Sequence, residues 1–206
     1  MRADSEVLIT AAATREGVLQ YVPEAQRANR ELVLAVVAHD PHSLQLASEE
    51  MRKDPQVVRA ATKRKAWAAQ HAAPELLANV AFMKDLVRKS GQAMRYASPE
   101  VRADKETALA AVRSYGFALE CLDDSLKDDQ DVVLAAVATT GWALQFASLR
   151  MRDDKKVVLE AILDCPQAFR YASKSMHEDP EAIALFSLDP ASRDTLSCLR
   201  RDSQSA

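Results

Sequence analysis

The chain is short of glycine, cysteine and long apolar runs, and each shortage removes a class of protein. Four glycines in 206 residues are few for a β-rich fold or a phosphate-gripping loop and ordinary for helices. The three cysteines, Cys121, Cys165 and Cys198, stand far apart with no C-x-x-C pair. That spacing signals neither a zinc site nor a disulfide framework, and it fits a reducing compartment. Apolar stretches such as LVLAVVA at 32–38 fall far short of the ~20 residues that cross a bilayer. The opening MRADSEVLIT has no apolar signal core. A cytoplasmic, intracellular protein with no membrane partner is the expectation. Excess positive charge is missing too: net charge is −3 and the pI is near 5.8, whereas wholesale nucleic-acid binding usually needs a strongly basic surface.

Catalytic signatures are also missing. There is no G-x-S-x-G, phosphate loop, H-E-x-x-H or Cys–His pairing. His39, Asp40 and His42 cluster at a turn, but no third histidine lies near, so an exposed turn is expected. The acidic run DDSLKDDQD at 123–131 lacks the glycine and terminal glutamate of a calcium loop. His71 stands in a column otherwise filled by Tyr21, Leu46, Tyr96, Phe146 and Tyr171, which predicts a packed side chain. The expectation is no enzyme, no cofactor and no metal site.

What the sequence does have is a period. Asp4, Asn29, Asp54, Asn79, Asp104, Asp129, Asp154 and Asp179 stand at constant intervals of 25 residues. Each precedes an apolar run and reads as an N-cap, accepting a bond from an amide in the first helical turn. Pro55 and Pro180 follow directly, where a missing N–H costs nothing. A helix of about ten residues is predicted after each cap. Pro41, Gly91, Gly116, Gly141 or Pro166 breaks it twelve residues on, and a second short helix leads to a polar R-x-D that begins the next unit. Apolar residues recur four, eight and fifteen positions after the cap, as in Val133, Val137 and Leu144, on one helical stripe. Helices this short are marginal alone, below the ~12–15 residues that begin to hold in water. They must therefore stack. The prediction is an all-α fold, an α-solenoid of short helical hairpins forming a single domain across 1–206. Its repeats start at 4, 29, 54, 79, 104, 129 and 154, and a C-terminal capping element covers 179–201. Seven hairpins at the usual interhelical spacing would make a rod or arc of about 60–70 Å.

The pattern D-x-x-V-V-L-x-A-V-x-x-x-G-x-A-L-x-x-A-S-x-x-x-R-x-D, as in 129–154, resembles the helical repeat of a family known as domain of unknown function, number 4116. The resemblance runs from about residue 4 to residue 180. It implies a tandem helical array and brings no activity, cofactor or catalytic residue. Repeats one and three depart from it, since Gly17 is displaced by one position and Ala66 replaces the glycine.

Departures from the columns point to a site. Five residues after the cap, most repeats carry Ile or Leu, but repeats three and four carry Arg59 and Lys84. Nine after, the same two carry Lys63 and Arg88. With Arg64, Lys65, Lys89 and Trp67 these are expected to form one basic patch. Residues 52–104 hold eleven Lys or Arg against five Asp or Glu; residues 105–153 hold five against eight. Charge is segregated along the chain. The expected function is a non-enzymatic scaffold for protein–protein interaction, its partner another protein or an acidic peptide segment. The alternative is an RNA- or phosphate-binding repeat using the same patch. A place as one subunit of a larger assembly is compatible with either. A further column, Arg27, Arg52, Arg102 and Arg152, is expected to form ion pairs between repeats, and the residues thirteen after the cap to brace the turns.

Overall fold

The computed structural model describes residue 10 and residues 17–189, 191–193 and 195–196. The expected cap Asp4, the first helix behind it, Cys198 and the polar tail lie outside the described residues. The chain divides into two compact units, an N-lobe Met1–Val101 and a C-lobe Arg102–Ala206. Helices account for its regular structure, and no strand occurs among the described residues.

Each cap begins a long helix. In the N-lobe these are α1 (Arg30–His39), α2 (Pro55–Thr62) and α3 (Val80–Lys89); in the C-lobe α4 (Lys105–Ser114), α5 (Gln130–Thr139), α6 (Lys155–Asp164) and α7 (Pro180–Ser187). The capping side chains act as the spacing predicts. Asn29, Asn79, Asp104 and Asp154 each accept from the amide three residues on, and Asp54, Asp129 and Asp179 accept from two amides each.

The second segment of each repeat differs from expectation. It is a six-residue 3-10 helix, at Pro41–Leu46, Ala66–His71, Gly91–Tyr96, Gly116–Cys121, Gly141–Phe146 and Pro166–Tyr171. The reason is reach. Six residues must travel back along a helix of eight to ten residues, and a 3-10 helix rises ~2.0 Å per residue where an α-helix rises only ~1.5 Å. The polar R-x-D stretch forms a third, shorter helix, such as Glu49–Lys53 or Asp124–Lys127. The repeat is therefore a three-segment turn of helix rather than a simple hairpin.

Two devices bind each repeat to the one before. A backbone bond recurs with constant geometry. The amide nineteen residues after a cap donates to the carbonyl two residues before that cap. In the N-lobe Ser48 donates to Arg27 (3.2 Å), Ala73 to Arg52 (3.0 Å) and Ser98 to Leu77 (3.2 Å). In the C-lobe Asp123 donates to Arg102 (3.2 Å), Ser148 to Lys127 (3.0 Å) and Ser173 to Arg152 (2.9 Å). The second device is apolar. Val58, Met83, Val133 and Val158, four residues after their caps, are fully buried, as are Leu44, Met94, Leu119 and Leu144, fifteen after. Ile183 breaks this column and is exposed, because α7 closes the described stack.

Small residues set the approach between helices. Pairs α1/α2, α4/α5 and α5/α6 pack closely, and the later helix of each carries alanine seven residues after its cap, at Ala61, Ala136 and Ala161. Glycine faces that position from the repeat before: a Cβ on Gly116 would lie 2.6 Å from the Ala136 carbonyl oxygen. Gly17 is used differently. Displaced in sequence, it takes φ 73°, a left-handed conformation natural to glycine, and its amide donates to Asp40 (2.9 Å).

Ion pairs do form a ladder between repeats, but three positions after the column of the expected arginines. Arg30 reaches the next cap, Asp54 (2.6 Å); Lys105 reaches Asp129 (2.7 Å) and Asp131 (2.9 Å); Lys155 reaches Asp179 (3.0 Å) and Glu181 (2.9 Å). Gln130 completes the series with a hydrogen bond to Asp154 (2.7 Å). Arg27 instead donates to the carbonyls of Val22 (2.9 Å) and Gln20 (3.4 Å), at the open end of the 3-10 helix Val18–Tyr21. The Nε atoms of Arg52 and Arg152 are buried without a hydrogen-bond partner.

The carboxylates make stability pH-dependent. Burial works to raise Asp54 and Asp129, but side-chain bonds from Arg30 and Lys105 and the capped amides outweigh it, so both lie below the ordinary 3.8. Asp40, nearly buried, is lowered despite its burial by bonds from Ser43, Gly17 and His42. A carboxyl depressed by folding contributes stability that is complete above its unfolded pKa and lost as pH falls through its folded one. The melting temperature should therefore hold from pH 7 to pH 5 and fall steadily below about pH 4. A melting temperature flat down to pH 3 would contradict this.

Candidate functional site: a cationic cleft between α2 and α3

The backbone bond from Ser98 to Leu77 persists at α2/α3, but three other features of the junction change. Pro55 stands where Arg30, Lys105 and Lys155 reach forward, and the next cap is the uncharged Asn79, so this junction lacks the ladder's ion pair. Leu86 replaces the small alanine seven residues after the cap. Arg59 and Lys63 replace apolar residues on the face of α2 that looks toward α3. Two charged side chains cannot be sealed into a dry helix interface without a large desolvation cost. The helices accordingly meet along few residues, and a cleft of about 500 Å³ lies between them.

From α2 the cleft is lined by Gln56, Arg59, Ala60 and Thr62, with Lys63 just beyond. From α3 come Asp85, Leu86 and Lys89, with Ser90 at the helix end. Arg59 is held on two sides: its Nε lies 2.9 Å from Asp85, and its guanidinium sits 5.3 Å from the centre of the Phe82 ring. Side chains of Arg59 and Asp85 are 42% and 40% exposed, so water screens the pair and it adds little to stability. Thr62 is buried and satisfied locally, its hydroxyl donating to the carbonyls of Val58 (2.8 Å) and Arg59 (3.2 Å). Lys63 and Lys89 are exposed and have no acidic partner among the described residues. The cleft thus holds three positive charges against one negative, over an apolar floor of Ala60 and Leu86.

The structure gathers part of the expected patch. Arg59, Lys63 and Lys89 share the cleft; Lys84 and Arg88 do not line it. In a stack built by repetition, one column points the same way on every helix, so columns five and nine of α2 face forward and are met by different columns of α3. Asp85 comes from such a column and was not among the expected patch residues. Its signal was available: it interrupts a row of alanines at Ala35, Ala60, Ala110 and Ala135. The other predicted residues have separate positions. Arg64 donates to the His39 carbonyl at the end of α1 (2.6 Å). Lys65 precedes the 3-10 helix and is exposed. Trp67 packs on His42 (4.1 Å between ring centres) and edge-on to His71 (6.3 Å), bracing repeats two and three. Burial, with the charges of His42 and Arg52, pushes His71 below its ordinary value, so it is neutral near pH 7. The same bracing recurs in the C-lobe, where Phe117 meets Phe146 and Trp142 meets Tyr171.

The residues weighed for metal chemistry have structural partners. Asp40 is buried rather than exposed at its turn, accepting from Gly17, His42 and Ser43. In the acidic run, Asp123 and Asp129 cap helices, and Asp128 holds Ser148 and Arg150. Among the described residues no group of three or more His, Cys, Asp or Glu is placed to hold a metal ion. No helix among them is long and apolar enough to cross a membrane.

Helices of constant period, packed on one another within each lobe except at the charged cleft between α2 and α3, define an α-helical repeat protein. The family model described as Domain of unknown function (DUF4116) matches residues 29–77, 79–127 and 129–177. These matches cover well over half of the chain, which belongs to that family. Each match spans two 25-residue repeats and begins on a cap, at Asn29, Asn79 and Asp129. No curated protein and no solved structure matches the chain.

Proposed function

We propose that the chain is a non-catalytic helical-repeat scaffold that binds another protein, with the α2/α3 cleft as its point of engagement. One observation carries this reading. At α2/α3 the ladder, the small-residue column and the apolar face change together, leaving an open cleft where α1/α2 is closed. A cleft with an apolar floor and a charged rim has the makeup of a protein-binding site. Its volume also lies within the ~300–1,000 Å³ of ordinary ligand sites. The pairing of Arg59 with Asp85 tells against a purely electrostatic grip on RNA, which depends on unopposed cations.

The test compares proteins retained by the full chain with those retained by a Lys63→Glu, Lys89→Glu double variant of equal thermal stability. At least one protein should be retained by the first and lost from the second, and should bind the purified chain directly. Identical sets, or RNA binding that falls steeply with salt and disappears in the variant, would overturn the reading.

A further inference from the structure

We propose that the occupant of the cleft is an acidic peptide segment carrying an apolar side chain, and that Asp85 competes with it for Arg59. This deepens the proposed function and rests on it.

The chemistry follows from what lines the cleft. Lys63 at the end of α2 and Lys89 at the end of α3 face the same space, without an acidic partner among the described residues. Two such ammonium groups at one mouth repel each other and favour carboxylates between them. Between and below them, the half-buried Ala60 and the edge of the buried Leu86 give the cleft an apolar floor, which a bare phosphate or nucleic-acid backbone would leave uncovered and an aliphatic side chain would fill. Arg59 is pre-positioned by its contact with Phe82, so little side-chain freedom is lost when it takes a carboxylate. Asp85 pairs with that guanidinium. It is the acid of the protein's own that an incoming carboxylate must displace, and it lowers the positive potential of the mouth. Asp85 therefore sets a threshold: a segment must bring more than one acid, or an acid with an apolar neighbour, to bind.

The experiment uses the full chain and three probes. One is a labelled synthetic peptide in which glutamates flank a leucine. The second is the same peptide with serine for leucine, and the third a single-stranded RNA oligonucleotide. Fluorescence anisotropy should show the leucine peptide binding best. Lys63→Glu with Lys89→Glu should weaken it by at least about tenfold. Asp85→Asn should strengthen it roughly two- to fivefold. A purely structural Asp85 would leave affinity unchanged or lower it, and either result would overturn the proposal. So would equal binding of both peptides, or preference for the RNA. If neither peptide binds while the retention experiment still yields a cleft-dependent protein, this inference falls and the proposed function stands. If both fail, the proposed function falls as well.

Discussion

Leu144→Ala is expected to destabilise the C-lobe by about 2–5 kcal/mol, the largest effect among the substitutions considered. Leu144 lies in the 3-10 helix Gly141–Phe146 and is fully buried. Its column, with Leu119 before it and Phe169 after it, runs along the inside of the stack. Truncation removes apolar area and leaves a cavity that relaxed neighbours only partly fill. Those neighbours belong to three repeats, since Gly141–Phe146 packs against the 3-10 helices on either side and against α5 and α6. The damage should therefore be shared. A urea midpoint within error of wild type would mean that the column is not the core.

Gly141→Ala is expected to cost about 1–3 kcal/mol, by overpacking rather than by cavity formation. A Cβ at this position would fall well inside contact distance of the Ala161 carbonyl oxygen and lie 3.1 Å from the Cys165 backbone nitrogen. Both neighbours are backbone atoms of the next repeat or of its turn, so no side chain can rotate away. Repeat seven must shift as a whole, straining the bond from the Ser173 amide to the Arg152 carbonyl and the edge contact of Trp142 with Tyr171. Alanine ordinarily stabilises by restricting the unfolded chain, and a gain in stability here would show that the two repeats do not approach as closely as described.

Much of the fold was legible in the sequence because its determinants are local and repeated. The caps, the alanine and glycine columns and the apolar stripe each name a residue type at a fixed offset, and the structure uses them as such. The 3-10 form of the second segment was not legible. Its cause is the distance that six residues must cover, which depends on the packed length of the helix before it. The site was legible in part for a related reason. Column breaks located Arg59 and Lys63, yet residues that share a column point in parallel, so Lys84 and Arg88 could not meet them across the junction. Facing residues come from different columns, which brings in Lys89 beside Asp85. Pro55 and Asn79, read only as a helix start and a cap, also remove the ion pair that closes other junctions.

The dependence of each repeat on its neighbours is tested most directly by native-state hydrogen exchange on the Leu144→Ala variant. Stacking requires that amides of α4 and α6 lose protection together with those of α5, because neither flanking helix keeps its buried face when the middle one loosens. Loss confined to α5 and the Gly141–Phe146 segment, with α4 and α6 protected as in wild type, would contradict it.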